Sequence, residues 1–260
     1  MVSQAAGSDS LLLDRQGATV TVTINRPAKL NALNPRVMTE LGNVLDTLEE
    51  DPSVHVLVLT GAGNRAFVAG ADIERLSKMD TAEIVDHMTF GHQLFLRIAE
   101  YPKPTIAMVN GYALGGGFEL ALSCDLLVAS DKAVFGFPEI NLNTMPGWGG
   151  TQLASKKMGP NRAMEMVFTG AHYPAGRCLE FGFINLLVPA DQLKQATLGL
   201  ARTLAEKNPF ALKMAKSALR LANELPLSAG MRYETLAYAT NFGSPHTQEG
   251  FRAFLDRSRR

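Results

Sequence analysis

One stretch, TIAMVNGYALGGGFELALSCD at positions 105–125, constrains the fold of this chain more than any other. It opens with a short apolar run between a proline and an Asn-Gly pair, which predicts a buried strand that ends in a turn. Three consecutive glycines and an apolar, helix-like segment over residues 116–123 follow. Glu119 is the only charge in that segment, and an uncompensated buried carboxylate either costs several kcal/mol or takes up a proton. Glu119 is therefore either a satisfied structural residue or a working acid or base, and the second interpretation is favoured.

The composition limits the classes of partner. The chain has 260 residues, of which 46% are hydrophobic, and its 25 basic residues balance its 25 acidic residues. Such an apolar share is typical of a globular protein with a real core, and balanced charge provides no field that attracts nucleic acid or an acidic membrane. We therefore expect neither nucleic acid nor a membrane among the partners.

The sequence also suggests a compartment. Cys124 and Cys178 lack the spacing of a zinc or redox motif, which favours a reduced compartment without a disulfide framework. No apolar run reaches the roughly 18 residues that a membrane span needs. The first ten residues have neither the basic region nor the apolar core of a secretory signal. We expect a soluble, cytoplasmic protein.

Strand and helix patterns alternate along most of the chain. Strands are predicted at residues 11–13, 19–24, 54–59, 105–109, 126–129, 134–136 and 184–188. Helices are predicted at residues 35–49, 81–100, 116–123, 151–158, 161–169 and 175–181. Only helical patterns follow, at residues 191–207, 210–223, 227–242 and 248–256. This layout predicts an α/β fold, with a mixed β/α core over residues 1–195 and a helical subdomain over residues 196–260.

Several common catalytic motifs are missing from the sequence. It contains no phosphate-binding G-x-x-x-x-G-K-[ST] loop, no dinucleotide-binding G-x-G-x-x-G, no G-x-S-x-G elbow and no H-E-x-x-H. The five histidines show no metal-ligand spacing. A metalloenzyme or a serine-nucleophile enzyme is therefore disfavoured, and no metal site is predicted.

Two glycine-rich turns remain, Gly70-Ala71-Asp72 and the glycines at 115–117, each where a strand meets a helix. Free N–H groups in the first turn of a helix bind an anionic oxygen, and two that converge form an oxyanion hole. Tight turns without a ligand explain the same residues equally well. Glu139, directly after Pro138, either complements a helix dipole or joins Glu119 as a second carboxylate at one substrate.

Taken together, these blocks resemble the enoyl-CoA hydratase (crotonase) superfamily. The matching blocks are RAFVAGADI (65–73), NGYALGGGFELALSCD (110–125), FGFPEINL (135–142) and PGWGGT (146–151), with support from NRPAKLNAL (25–33) and QEGFRAF (248–254). The resemblance runs from about residue 11 to about residue 257, in the right order and spacing.

The resemblance implies a crotonase-like spiral of ββα repeats with a C-terminal helical trimerisation subdomain, assembled as a trimer or a hexamer (a dimer of trimers). It implies an acyl-CoA substrate and no separate cofactor, because coenzyme A is part of the substrate. The implied reaction is hydration of a trans-2-enoyl-CoA to a 3-hydroxyacyl-CoA. Glu119 and Glu139 would be catalytic, and the backbone N–H groups of Ala71 and Gly116 would form the oxyanion hole.

Further residues are implied to contact the substrate. They are Lys29, Arg65, Ala69, Asp72, Ile73, Gly115, Phe118, Phe137, Pro146, Gly147 and Trp148. Other readings stay open: a Δ3,Δ2-enoyl-CoA isomerase that uses Glu139 alone, an inactive scaffold, or an RNA-binding relative. The last is disfavoured because Arg97 is the only lysine or arginine in the predicted helix 81–100.

The chain departs from the family pattern at four positions. Glu74 stands where hydratases often carry a lysine for the phosphates of coenzyme A, and Arg65 or Arg75 would have to compensate. Asn143 replaces a glycine, Trp148 replaces a small residue, and Leu153 replaces an arginine. Because Phe118, Phe137 and Trp148 are bulky near the expected acyl pocket, we expect an altered chain-length or an aromatic or alicyclic preference rather than lost catalysis.

Overall fold

The computed structural model describes residues 10–70 and 73–258 of the chain. The strands in chain order are β1 (Leu11–Gln16), β2 (Thr19–Ile24), β3 (Val56–Gly61), β4 (Ala66–Ala69), β5 (Thr105–Val109), β6 (Tyr112–Leu114), β7 (Leu126–Ser130), β8 (Val134–Gly136), β9 (Tyr173–Pro174) and β10 (Leu186–Val188).

The α-helices in chain order are α1 (Pro35–Glu50), α2 (Ile73–Leu76), α3 (Thr81–Ala99), α4 (Gly116–Ser123), α5 (Gly150–Met158), α6 (Pro160–Thr169), α7 (Ala175–Glu180), α8 (Leu193–Ala205), α9 (Pro209–Leu221), α10 (Leu227–Phe242) and α11 (Pro245–Ser258). Short 3-10 turns cover Pro27–Lys29, Pro138–Leu142 and Ala190–Gln192.

The strands form two sheets. The first has the order β1-β2-β3-β5-β7-β10, in which β1 and β2 form an antiparallel hairpin and the other pairs are parallel. The second has the order β4-β6-β8-β9, with β9 antiparallel to β8. Each consecutive pair, β3/β4, β5/β6 and β7/β8, gives one strand to each sheet before the chain turns helical. This repeat is the predicted ββα pattern.

Strand β3 shows why the first sheet is buried on both faces. Leu57 and Leu59 point into the main core, whereas Val56 and Val58 belong to a second cluster with Leu193 of α8. Because successive side chains of a strand point to opposite faces, a nearly continuous apolar run is the expected sequence for such a strand. The predicted strand at 54–59 is confirmed, with a shift of two residues.

Helix α1 follows from its sequence in the same direct way. The Asn34 side chain accepts a hydrogen bond from the N–H of Val37 at 2.9 Å, and Pro35 occupies the first turn. The apolar residues at three-to-four spacing along the helix, including Leu41 and Leu45, are buried. The helix is confirmed, with one more residue at its end than predicted.

Helix α4 has the predicted bounds, and all eight of its residues are buried. Its close approach to β4 requires a glycine, because a Cβ on Gly117 would lie 1.9 Å from the carbonyl oxygen of Val68. Strands β6 and β9 were not predicted, since three and two residues are too few to show a period.

The helices of the C-terminal region were all predicted, with bounds that differ by a few residues. The predicted division after residue 195 falls inside α8, whose Leu193, Thr197 and Ala201 are buried. Helices α9 and α10 bury far less, and Ala237 is the only buried residue that they contain. Among the described residues, no helix is both long and apolar enough to cross a membrane.

Candidate active site

The second sheet brings three turns together at one edge. Strands β4, β6 and β8 are parallel, and their last residues, Ala69, Leu114 and Gly136, are aligned in register. Because parallel strands all end at the same edge of a sheet, the turns that follow them are neighbours. The described residues that follow the three strands are Gly70, the Gly115-Gly116 pair and the segment that leads to Glu139. The edge therefore collects residues that are far apart in the sequence.

Glu119 lies on α4 at this edge and is only 2% exposed. Its Oε1 atom accepts hydrogen bonds from the backbone N–H groups of Trp148 at 2.8 Å and Gly150 at 2.7 Å. Burial raises the pKa of Glu119 to about 7, against the opposing effect of the two donors and with a smaller contribution from the neighbouring Glu139. A carboxylate with such a pKa exchanges protons readily near neutral pH.

One donor, Gly150, is the first residue of α5, and the other, Trp148, lies just before the N-cap residue of that helix. Gly149, at φ +105°, is the N-cap residue and offers no capping side chain, so the carboxylate of Glu119 accepts from the first N–H of the helix instead. A Cβ on Gly150 would lie 2.8 Å from Glu119 Oε1, which explains the glycine there. Sequence reasoning found the PGWGGT block but missed its role as the hydrogen-bond donor to Glu119.

Glu139 lies in the 3-10 turn after β8 and is half-buried. Its Oε2 atom is buried and has no hydrogen-bond partner among the described residues, and burial raises the pKa of this carboxyl. Gly115, at φ +53°, lies against it, since a Cβ there would be 2.5 Å from Glu139 Oε1. A Cβ on Gly116 would lie 3.8 Å from Glu119 Oε2. Two consecutive glycines therefore face the two carboxylates.

Gly116 is the first residue of α4, so its N–H has no acceptor within the helix. The preceding N–H, that of Gly115, donates to the carbonyl oxygen of Gly136 at 2.9 Å and is already used. The predicted second donor of the oxyanion hole, Ala71, and the predicted substrate contact Asp72 lie outside the described residues. The two-donor oxyanion hole thus stays a prediction.

The segment around Lys29 holds the turn after β4. The N–H of Ala69 donates to the carbonyl oxygen of Leu30 at 3.0 Å, and the N–H of Leu33 donates to the carbonyl oxygen of Gly70 at 3.1 Å. Lys29 is exposed beside this turn, and Ile73, on its other side, is 52% exposed. Contact of either side chain with the substrate stays a prediction.

Trp148 fills the space between α3 and α4. Its ring is edge-on to those of His87, with centroids 5.3 Å apart, and Phe95, at 5.7 Å. A Cβ on Gly91 would lie 2.1 Å from the indole Cδ1 atom, and one on Gly116 would lie 2.6 Å from Cε3. The bulky residue is accommodated because both helices present glycine to it. Sequence reasoning flagged Trp148 but not its partners on α3.

The remaining predicted contacts divide into core and edge positions. Phe118 and Phe137 are completely buried, with ring centroids 4.7 Å apart, in a cluster with Phe135 and Phe183. This packing places both rings in the core, and their contact with substrate stays a prediction. Pro146 is buried, and Gly147 faces the sulfur of Met88 on α3.

Arg65 is not brought to this edge. It precedes β4 at the amino end of the strand, where its carbonyl oxygen accepts from the N–H of Tyr112. The strand direction therefore separates it from the turn after Ala69. Glu74 forms an exposed ion pair with Lys78 at 2.9 Å, a cation that the sequence analysis did not single out.

Two of the four departures from the family pattern have a simple structural reading. Asn143 has φ +56°, and asparagine tolerates this region better than most residues other than glycine. Leu153 is partly buried and packs against the main core. Both substitutions are therefore compatible with the fold.

Comparison with known proteins agrees with the fold. The family model described as enoyl-CoA hydratase/isomerase matches residues 14–260. The chain is 36% identical to the short-chain-enoyl-CoA hydratase of Clostridium acetobutylicum, over 96% of this chain and 95% of the relative. It is 39% identical to the 2,3-dehydroadipyl-CoA hydratase of Escherichia coli, over 95% and 96%.

A solved structure of an enoyl-CoA hydratase subunit from Geobacillus kaustophilus is 42% identical and superposes with a TM-score of 0.91, over 95% of both chains. The predicted crotonase-like α/β fold is thereby confirmed. The chain belongs to the enoyl-CoA hydratase/isomerase family, the crotonase superfamily.

Proposed function

We propose that this protein is a hydro-lyase that adds water to trans-2-enoyl-CoA thioesters and forms 3-hydroxyacyl-CoA. In this proposal, Glu119 and Glu139 are the acid–base pair, and the backbone N–H groups of Ala71 and Gly116 bind the thioester oxygen. Relatives that are named short-chain-enoyl-CoA hydratase, at 36% identity, and 2,3-dehydroadipyl-CoA hydratase, at 39%, support the reaction type. Coenzyme A enters as part of the substrate, and the reaction needs no other cofactor.

The observation that carries the proposal is the contrast between two neighbouring carboxyls. Glu119 accepts two backbone N–H groups, which favour its ionised form. Glu139 has a buried oxygen without any donor among the described residues, which favours its protonated form. A pair in such different environments is suited to divide the work of base and acid.

The steps follow from these roles. The thioester oxygen accepts hydrogen bonds from the two backbone N–H groups, which withdraws electrons from C3. Glu119 takes a proton from a water molecule held between the carboxylates, and the water oxygen forms a bond to C3. The C2=C3 π electrons form a C1=C2 bond, and the carbonyl π electrons move to the thioester oxygen, which gives an enolate. Glu139 then donates its proton to C2, and the C=O bond of the thioester forms again. Exchange of protons with solvent then restores both groups.

Replacement of Glu139 tests this assignment. We expect Glu139→Gln to lose about 10²–10⁴-fold in the rate of crotonyl-CoA hydration, because the variant has no acidic proton for C2. The assay follows the loss of ultraviolet absorbance of the conjugated thioester. Glu50→Gln, an exposed change at the end of α1, is the matched control and should keep the wild-type rate.

Near-wild-type hydration by Glu139→Gln would contradict the two-carboxylate mechanism. A wild-type protein that leaves crotonyl-CoA unchanged but converts a 3-enoyl-CoA to the 2-enoyl isomer would identify the isomerase instead. The same assay therefore separates the two candidate functions.

We also propose that the chain assembles as a homotrimer or a dimer of trimers. Helices α9 to α11 expose large apolar side chains, which are Leu219, Leu227, Met231, Leu236, Tyr238, Phe242, Phe251, Phe254 and Leu255. An apolar surface of this extent is typical of a subunit interface. Light scattering should give three or six times the chain mass of 28.1 kDa, and a mass of one chain would refute the assembly.

A further inference from the structure

Helix α5 is attached to α4 at both of its ends. At its beginning, Gly150 donates to the carboxylate of Glu119, near the start of α4. In its last turn, the ammonium group of Lys157 donates to the carbonyl oxygen of Cys124 at 2.5 Å, directly after α4 ends, and lies 3.5 Å from that of Asp125. The two helices therefore run side by side in the same direction, with a polar contact at each end.

Lys157 lies in a partly buried polar cluster. Lys216 of α9 contacts the Asp125 carboxylate at 2.6 Å, and that carboxylate also accepts from the N–H and hydroxyl groups of Thr105 at 2.8 and 3.0 Å. Burial lowers the pKa of both lysines. Removal of an ammonium group from water costs free energy unless hydrogen bonds and opposite charges compensate it. The contact of Lys157 at the end of α4 therefore indicates a role for this residue.

We propose that Lys157 is a positioning residue for Glu119: by binding the C-terminal carbonyl groups next to α4, it fixes α5 where the N–H groups at its start reach the Glu119 carboxylate. The inference deepens the proposed function and rests on it for the role of Glu119 as base. Lys157 itself contacts neither reacting group.

The length of α5 makes this coupling direct. Gly150 and Lys157 are separated by seven residues, which is about 10 Å of rigid helix at ~1.5 Å per residue. Both end contacts also agree with the helix dipoles, since a carboxylate lies at the start of α5 and an ammonium lies at the end of α4 and α5. A shift at one end of so short a helix is passed to the other.

The electrostatics separate a positioning role from a direct charge effect. The influences on the pKa of Glu119 are burial, the N–H groups of Gly150 and Trp148, and the charge of Glu139. On the side of α3, the titratable ring of His87 lies against the Trp148 ring. Lys157 is not among these influences, and the charged or titratable groups that lie close to it are Cys124, Asp125 and Lys216. A changed pKa of Glu119 after loss of Lys157 would therefore report moved donors.

The test compares Lys157→Met with Lys156→Met, a change at the neighbouring exposed lysine of the same helix. We expect Lys157→Met to lower kcat about tenfold with little change in KM, because displaced donors disturb the base but not substrate binding. The acid limb of the pH profile should move to higher pH, because weaker donors raise the pKa of Glu119 further. Lys157→Arg should restore much of the kcat and most of the position of the acid limb, and Lys156→Met should match the wild type in both quantities.

Carbon NMR titration of the Glu119 carboxyl provides a readout without substrate, with Glu119→Gln to assign the signal. A higher pKa of Glu119 in Lys157→Met supports the inference even if the wild type hydrates no enoyl-CoA, in which case only the proposed function fails. Equal titration and equal pH profiles in Lys157→Met and Lys156→Met would overturn it. If Lys157→Met does not fold, the milder Lys157→Gln should show the same upward shift, and its absence would count equally against the inference.

Discussion

Glu119→Gln is expected to reduce hydration of crotonyl-CoA by about 10³-fold, because the reaction loses its general base. In the wild type, the N–H groups of Trp148 and Gly150 donate to Glu119 Oε1 at 2.8 and 2.7 Å. The amide oxygen of glutamine can accept the same two hydrogen bonds. The local geometry should therefore survive the loss of activity. The thioester absorbance assay measures the rate, and activity close to that of the wild type would refute the assignment of Glu119 as the base.

The same variant should be more stable than the wild type at alkaline pH. The pKa of Glu119 is raised from 4.5 to about 7 in the folded protein. The folded state thus holds the proton more tightly than the unfolded state, and wild-type stability falls as pH rises from about 4.5 to about 7. Glutamine removes this penalty, which amounts to roughly 3 kcal/mol above pH 7 by the relation of ~1.4 kcal/mol per pKa unit.

Denaturant unfolding of both proteins at acidic and alkaline pH measures this difference. The free energies of unfolding should be similar near pH 4 and should separate as Glu119 ionises. A difference that is constant across the pH range would show that burial does not raise the pKa of Glu119, whatever the variant does to catalysis. The two readouts therefore test the chemistry and the electrostatics of Glu119 independently.

Gly117→Ala is expected to have the largest effect on stability. A Cβ at this position would lie 1.9 Å from the carbonyl oxygen of Val68, so either α4 or β4 must move. Because the obstacle is backbone in a packed core, we expect a loss of about 3 kcal/mol or more in the free energy of unfolding. Activity should fall as well, since α4 carries Glu119.

Gly199→Ala is the matched control, because Gly199 lies within α8 and a Cβ there meets nothing within 4 Å. It should be neutral or should stabilise the fold by about 0.5–1 kcal/mol, the usual helix preference of alanine over glycine. Thermal unfolding of the two variants makes the comparison. A Gly117→Ala protein that unfolds at the wild-type temperature would contradict the close packing of α4 on β4.

The sequence alone determined the elements whose signals are local. The cap at Asn34 and the apolar period of α1 predicted that helix, and the β-branched alternation of residues 19–24 predicted β2. The bounds of α4 followed from glycines on one side and a change in polarity on the other. The lone charge of Glu119 was visible for the same reason, since a carboxylate in an apolar helix contrasts with its immediate neighbours.

Only the tertiary structure decided how these elements meet. The register of β4, β6 and β8 brings Glu139 to the turn that precedes α4, whereas Arg65 stays at the other end of β4. Neither result is encoded in a local pattern, because strand pairing joins residues that are far apart along the chain.

The contacts that tune the site are long-range in the same sense. The N–H groups that hold Glu119 come from residues 148 and 150, and the glycine that admits the Trp148 ring lies on α3 at position 91. Backbone donors carry no signature in the identity of their residues, and a glycine in a helix does not state what packs against it. A carboxylate can therefore be recognised from the sequence, but the pKa that makes it a base is set by neighbours that only the fold supplies.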